Sequence, residues 1–595
     1  MTNTCYITTP IFYVNGDPHI GHWYTNIMTD VINRANLLMN YDVKMQTGTD
    51  EHGSKVQKSS EVSGENVMHF CNRISEKFAK MAVYSNCSCA YGSFSLQKFE
   101  QLSSTIDEFR VNRDVLFANG ANFIRTTEGR NLNTGAITPE SLEKGRHVKY
   151  VEKFWNKLFE NGWIYKGKYA GWYAVRDEAF YSEDEVNDGK APSGAPVEWK
   201  EEECYFFRLS LLQKALLSIY RNNENFIFPR EKYTEVVAFV AGSKFIDAQN
   251  GNFKPGALSD LCISRPNLSW GIPVPGAENQ AIYVWLDALT NYISAFEHRA
   301  EYEKYWLNRS DNSKVIHVVG KDILRFHGVY WPAFLLAENF SADEIEGENS
   351  KNLQEIYSIF TGRLKCLPSC IISHGWWTNN GEKMSKSLNN TIDPYLEIEF
   401  LQSCGVNSEI ATDYFRYFLV RSMPFGNDGN YSREALINLV NADLANNIGN
   451  LAQRTVSMVQ KYTNGSYSLV EIDYLQAKIS EFTRAIQGYN TFLALELLLE
   501  IARSANLIIE QNKPWELAKQ GRDAEISTIL NNVLSHILAV SVCLQAFCPV
   551  IAGKILQIFG ATKALAFDDI FTEMPANQER KIVSISSICP RITVN

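Results

Sequence analysis

At 595 residues the chain is too long for one hydrophobic core, so three or more structural units are expected. With 45% hydrophobic and 21% charged residues the composition is that of an ordinary soluble globular protein, and a net charge of −10 gives no general affinity for nucleic acid while leaving room for a local basic surface. The 12 cysteines are scattered without any CxxC, which speaks against a disulfide framework or zinc knuckle and for a reducing, cytoplasmic setting.

Residues 5–14 are apolar and β-rich. A helical period follows, with Ile20, Trp23, Ile27, Val31, Ala35 and Leu38 recurring every three to four residues. Between them Asp17 reads as an N-cap and Pro18 as a first helical residue. A strand running into a helix start attracts anions, because the first N–H groups lack partners and the dipole is positive there. Gly21 lets a ligand approach the backbone, and His19 and His22 point the same way and can both donate to phosphate oxygens. Each histidine alone also reads as a cap or a surface residue. A metal site from His19, His22, Asp50 and His52 is a further reading, but no HExxH spacing or cysteine pair supports it. Residues 42–47 form the next strand, completing a βαβ unit with its ligand crevice at the strand ends. Asp50 and His52, just beyond, are expected to face the same crevice as the two histidines. Asp50 fits either a substrate ammonium or the cap of the next helix.

Between 115 and 235 Gly, Pro and charged residues break the pattern, as an inserted domain with long loops would. Regularity returns near 236. Residues 281–289 read as a strand running into a helix, 314–322 as a buried strand with a turn, and 323–336 as a helix carrying His327. Trp285, Tyr292 and His327 suit a core as well as a site. In the polar loop 379–390, Lys383 and Lys386 bracket Ser385, an arrangement fit to swing positive charge onto polyphosphate. From 396 to about 560 the chain is helical, notably over 435–462, 474–486 and 526–547, with Pro514 and Pro549 marking starts or breaks. The short tail has some β-like residues. No signal peptide and no run of about 18 apolar residues is present, so no membrane partner is expected.

His19-Ile20-Gly21-His22 together with Lys383-Met384-Ser385-Lys386-Ser387 resembles the paired signatures of class I aminoacyl-tRNA synthetases. Within that class, TTPIFYVNGDPHIGH, TGTDEHG, GWYAVRDEAFYSE, YVWLDALTNYI, VVGKDILRFHGVYWPAFL, HGWWTNNGEKMSKS and VNADLANNIGNLAQR are similar to the blocks of the methionyl family, bacterial and mitochondrial type. The resemblance implies an α/β fold: a Rossmann-like parallel-sheet catalytic domain in two halves (1–114 and 236–335) around an inserted connective domain (115–235), a stem-contact region with the lysine loop (336–395), and an α-helical anticodon-binding bundle with its tail (396–595). It implies methionine activation by ATP, supplied with Mg²⁺, and transfer to the terminal adenosine of tRNA(Met).

By motif match, methionine is bound by Ile11, Tyr13, Asp50, Trp285, Ala288, Leu289, Tyr292, Ile323 and His327, with Asp50 on the ammonium and a polar tip at Tyr13 or His327. Leu289 stands where some members carry proline. ATP is bound by His19, Gly21, His22, Gly320, Asp322, Lys383, Ser385 and Lys386. His19 and His22 serve the transferring phosphate, Lys383 and Lys386 the leaving pyrophosphate, and Asp322 the ribose hydroxyls. Asn450, Arg454 and Trp515 match the anticodon readers, a stacking aromatic with two polar partners. Many relatives carry cysteine knuckles in the inserted domain; the matching stretches here have none, so no structural zinc is expected. The chain ends soon after the helical region, so no appended dimerising domain and hence a monomer is expected. The rivals are another class I synthetase or a small-molecule adenylyltransferase sharing the HxGH turn, and an idle tRNA-binding derivative of the fold. The helical C-terminal third speaks against an adenylyltransferase, and intact His19, His22, Lys383 and Lys386 against an idle derivative.

Overall fold

The computed structural model describes residues 3–88, 122–174, 179–181, 186–191, 194–242, 252–266, 268–379, 381–384, 390–567, 570, 574–584 and 587–593. At its centre is a parallel sheet of β1 (Thr4–Thr8), β2 (Phe12–Tyr13), β3 (Asp42–Asp50), β4 (Asn122–Arg125), β5 (Ile227–Phe228), β6 (Lys314–Gly320) and β7 (Cys370–His374), with helix α1 (Ile20–Leu38) crossing from the first strand line to β3. β1 pairs with β3 on one side and β6 on the other, Cys5 lying opposite both Val43 and Lys314. Every residue of β1 is buried, which is why it reads as an apolar run with no alternation. Pro10 has no N–H to give, and pairing with β3 resumes beyond it in β2, where Phe12 meets Thr49. The chain leaves β1 towards β3 and returns at β6 on the opposite side, so a switch point opens between the carboxyl ends of these strands.

β4 and β5 fall inside 115–235, yet both hydrogen-bond into this sheet, β4 beside β3 and β5 beside β7. Strands of four and two residues are too short to show a period, so their texture reads as loop. A separate antiparallel sheet is built from Ile164–Ala174, Ala179–Tyr181, Glu198–Phe207 and Leu261–Cys262, the last of these beyond 235. The helix expected over 323–336 is three pieces: a 3-10 turn (Lys321–Ile323), a π-turn (Phe326–Tyr330) and an α-helix (Trp331–Asn339).

Beyond the sheet lie the helices Ser408–Arg421, Arg433–Val440, Asn450–Thr463, Asp473–Gln487, Thr491–Asn512, Asp523–Leu544 and Pro549–Ile558. A π-helical stretch, Asn441–Gly449, joins the second of these to the third. Pro514 and Pro549 each open a helix. Asp523–Leu544 is long and apolar enough to cross a membrane, but 72% of its most apolar window is buried here, against Asn450–Thr463, Thr491–Asn512 and Pro549–Ile558. Its apolarity is that of a core helix. In the tail, Glu579–Lys581 pairs antiparallel with Ser466–Ser468.

Candidate active site

At the switch point is a cleft of about 660 Å³. Its wall includes Ile11, Tyr13, His19, Gly21, His22, Asp50, Trp285, Ala288, Leu289, Tyr292, Gly320, Asp322, Ile323 and His327, so residues from four separate strand ends meet in one place. Phe326, His374, Trp376, Trp377 and Met384 also line it.

Helix α1 does not start as its sequence suggests. Its N-cap is His19, with an extended backbone, and not Asp17; Pro18 lies outside the helix. The His19 side chain accepts from Gly21 N at 3.1 Å, and His22 Nδ1 accepts from His19 N at 3.1 Å. This is a capping box made by two imidazoles, which competes with the side-chain oxygens that usually cap. Because each Nδ1 accepts a backbone N–H, each ring carries its proton on Nε2, an assignment made from these bonds. The rings are 3.9 Å apart between centroids. Gly21 leaves room here: a Cβ would lie 3.0 Å from the His19 ring, which would have to give by a few tenths of an ångström.

Asp50 ends β3 in the cleft wall, 9% exposed, and its Oδ1 is buried with no hydrogen-bond partner. Burial, then the nearby Asp287 carboxylate, push its carboxyl well above the usual range, against one backbone bond from His52. A buried carboxylate lacking a cation is costly, and an ammonium at that oxygen would restore the charged form.

His52, expected in the crevice, turns away from it. Its Nδ1 lies 2.7 Å from Asp287 Oδ2, and its Nε2 accepts from Arg130 Nε at 2.8 Å. Asp287 Oδ1 is 2.7 Å from His147 Nε2. One residue earlier, Glu51 is gripped by both arms of Arg125, at 2.6 and 2.8 Å. All these groups are buried. Burial works against the Asp287 charge, and His52 and His147 more than offset it, holding its carboxyl far below the usual range. This network fixes, from behind, the backbone that immediately follows Asp50. TGTDEHG shows the acidic and imidazole groups; partners at Arg125, Arg130, His147 and Asp287 are too distant in sequence to be read from it.

The apolar end of the cleft is rigid. Trp285 stacks on Phe326 with centroids 3.7 Å apart and planes 5° from parallel. His327 Nδ1 is 2.9 Å from the Ile323 carbonyl, so it carries the proton there, and Nε2 accepts from the Tyr292 hydroxyl at 2.7 Å. Both ring nitrogens are thus engaged, and burial lowers the imidazole to about 4, keeping it neutral. Tyr292 stacks in turn on His317 at 4.0 Å. Leu289 is 1% exposed and adjoins the cleft from the helix Val284–Ser294.

On the other side Asp322 Oδ1 accepts from the Trp376 indole at 3.3 Å, and Lys321, paired with Asp428 at 2.7 Å, lies over the Trp376 ring. The lysine loop leaves a hairpin in which Lys383 pairs with Thr378, and Met384 reaches the cleft. Ser385 and Lys386 lie outside the described residues. Among the described residues no group of three or more His, Cys, Asp or Glu is placed to hold a metal ion.

Three further residues do not line the cleft: Asn450 opens the helix Asn450–Thr463 and is exposed, Arg454 one turn on donates to Asn506 at 3.0 Å, and Trp515 is 38% exposed at the start of Pro514–Lys519. Arg454 Nε is buried without a partner.

The family of class I tRNA synthetases (M) matches residues 5–114, 140–195 and 188–456. A methionine–tRNA ligase of Rickettsia felis is 39% identical over 95% of this chain and 93% of its own, and one of Rickettsia bellii is 38% identical over 99% of each. Among solved structures, Mycobacterium tuberculosis methionyl-tRNA synthetase in complex with methionyl-adenylate superposes with a TM-score of 0.76 at 32% identity, over 99% of this chain and 100% of that one. The apo form of that enzyme superposes at 0.72 with 30% identity, over 100% of this chain and 99% of that one. With near-complete coverage by these relatives and a parallel-sheet cleft of this make-up, the chain belongs to the class I tRNA synthetases, in the methionine–tRNA ligase family.

Proposed function

We propose that this protein activates L-methionine with ATP, presented with Mg²⁺, to methionyl-adenylate and pyrophosphate, then transfers the methionyl group to the terminal adenosine of tRNA(Met). The observation that carries the reading is Asp50: a buried carboxylate oxygen without a partner opens into the same cleft as two imidazoles whose Nδ1 atoms are occupied.

The ammonium of methionine sits on Asp50, and its side chain among Ile11, Tyr13, Trp285, Ala288, Leu289, Tyr292, Ile323 and His327. A thioether makes only weak hydrogen bonds, and His327, with both nitrogens engaged, demands none; selection rests on shape and on sulfur–aromatic contact. Polar side chains lose their water there without replacement. ATP lies over the start of α1, its adenosine towards Gly320 and Asp322. As the carboxylate attacks the α-phosphate, charge grows on the phosphoryl oxygens, and the Nε2–H groups of His19 and His22 donate to it. Their Nδ1 bonds orient both rings beforehand, so the donors cost no reorganisation. Lys383 and Lys386 with Ser385 take the pyrophosphate. Asn450, Arg454 and Trp515 read the anticodon, the exposed indole as a stacking platform. The described cysteines are free thiols, which fits a cytoplasmic protein; it acts as a monomer, a state that sedimentation checks.

Amino-acid-dependent exchange of pyrophosphate into ATP tests the first step and charging of tRNA(Met) the second. Exchange that methionine does not stimulate, or that another amino acid stimulates better, refutes the assignment.

A further inference from the structure

Outside the cleft two thiols lie in contact. Cys204 lies in Glu198–Phe207 and Cys262 in Leu261–Cys262, antiparallel neighbours in which Phe206 is opposite Cys262. The cysteines are therefore diagonal neighbours on one face of the strand pair. Their Sγ atoms are 3.0 Å apart, and both are buried. Arg265 brings Nη1 to 3.3 Å from Cys262 Sγ while its guanidinium stacks over the Tyr283 ring at 4.5 Å. The hydrogen bond with Cys204, and then Arg265, draw the Cys262 thiol down to about 7, whereas burial pushes Cys5, Cys366 and Cys370 up to about 12. A thiolate beside a second thiol is the chemistry of a resolving pair.

We propose that Cys204 and Cys262 are a peroxide-sensitive dithiol whose oxidation to a disulfide disturbs the methionine pocket. The Cys262 thiolate attacks one oxygen of hydrogen peroxide, the O–O bond breaks, and hydroxide leaves, giving a sulfenic acid. Cys204 sulfur then attacks Cys262 Sγ, the S–O bond breaks, and the departing hydroxide takes the Cys204 proton. Two thiols and one peroxide become one disulfide and two waters. Thiols at 3.0 Å must close to about 2.05 Å, so the strand at Cys262 shifts. That strand leads straight to the pocket. Tyr283 N donates to the Ile263 carbonyl at 2.9 Å, Ser264 pairs with Ile282, and Tyr283 caps the helix Val284–Ser294, which presents Trp285, Ala288, Leu289 and Tyr292.

The full chain is treated with hydrogen peroxide, then mapped by peptide mass spectrometry without reduction, with pyrophosphate exchange followed alongside. The expected result is a peptide linking Cys204 to Cys262, a methionine KM that rises several-fold as it forms, and recovery with dithiothreitol. Cys204→Ser should match the untreated activity, form no link, carry a dimedone adduct on Cys262 after peroxide, and keep its KM; Cys204→Ala serves if serine disturbs folding. Absence of the linked peptide overturns the dithiol. A link without any rise in KM, or the same rise in the Cys204 variant, overturns its coupling to the pocket. The link is read by mass alone, so it stands or falls separately from the assignment of the substrate.

Discussion

Asp30 and Arg416 meet at 2.7 Å with both side chains fully buried. Asp30 lies in the middle of α1, the helix that begins at the cleft, and Arg416 in Ser408–Arg421 of the helical bundle. Arg34 adds a second contact to Asp30 at 2.7 Å, and Arg416 also donates to the carbonyls of Phe547 and Ser85. Burial opposes the Asp30 charge, but the two guanidiniums hold its carboxyl below the usual range. The bundle thus grips the same helix whose first turn carries His19 and His22. Arg416→Met leaves Asp30 buried with half its compensation, and should cost about 3–5 kcal/mol in urea unfolding. Adding Asp30→Asn should recover part of that loss. A single-variant cost near zero would show that water reaches the pair.

Asp50→Asn separates binding from stability. The folded carboxyl titrates well above its unfolded value. Between those two values the native state holds a proton that the unfolded chain has lost, so stability falls as pH rises through the window. The amide removes that cost. At pH 7 the variant should melt at a higher temperature than the parent in the absence of substrate, yet bind methionine far more weakly by calorimetry. Lower stability together with weaker binding would mean that Asp50 holds the fold and not the ammonium.

The fold was legible where burial imposed a pattern. β1, α1, β3 and β6 show their apolar runs and periods, and the HxGH turn could be placed at a strand end from them alone. The start of α1 was not legible, because Asp17-Pro18 looks like a better start than a histidine, and His19 becomes the cap only through two imidazole contacts, its own ring on Gly21 N and the His22 ring on its amide. Two-residue β5 carries too little sequence to show any period. The ion network behind Asp50 escaped for another reason: Glu51 with Arg125, and Asp287 with His52 and His147, join chain segments that no local pattern connects. Phe326 was missed because its stacking on Trp285 depends on the π-turn, which reads in sequence as plain helix.

His22 does two things, and its substitution should show both. Its Nδ1 caps the His19 amide, a contact worth about 0.5–2 kcal/mol, and its Nε2–H is assigned to the phosphoryl oxygens. His22→Ala should slow single-turnover adenylate formation by about 10²–10³-fold, the usual loss of one preorganised donor. Methionine affinity, measured apart, should change little. His22→Gln, which keeps a donor, should be faster than His22→Ala. Equal rates for the two would leave only the capping role.

Acid should loosen the apolar end of the cleft at His327. Its imidazole is neutral and lowered to about 4 by burial, from an ordinary 6.5. Below 6.5 the unfolded chain takes up a proton that the native state refuses, so this group's contribution is complete above 6.5 and is lost as pH falls towards 4. The full loss is about 3 kcal/mol. His327→Gln should flatten the fall of unfolding free energy over that range, and an unchanged slope would place the acid sensitivity in other imidazoles that burial also lowers, His52, His317, His374 and His536.

Trp515 tests the division of labour along the chain. Its indole is 38% exposed, a large apolar surface left to water at a helix start, next to the end of Thr491–Asn512, whose Asn506 accepts from Arg454. Stacking of one base on such a ring is worth about 1–3 kcal/mol. Trp515→Ala should therefore raise KM for tRNA(Met) by about 5- to 150-fold in charging assays. Pyrophosphate exchange needs no tRNA and should be unaffected. Loss of both together would mean that Trp515 supports the fold of the bundle, whose grip on α1 through Arg416 would carry the damage to the cleft.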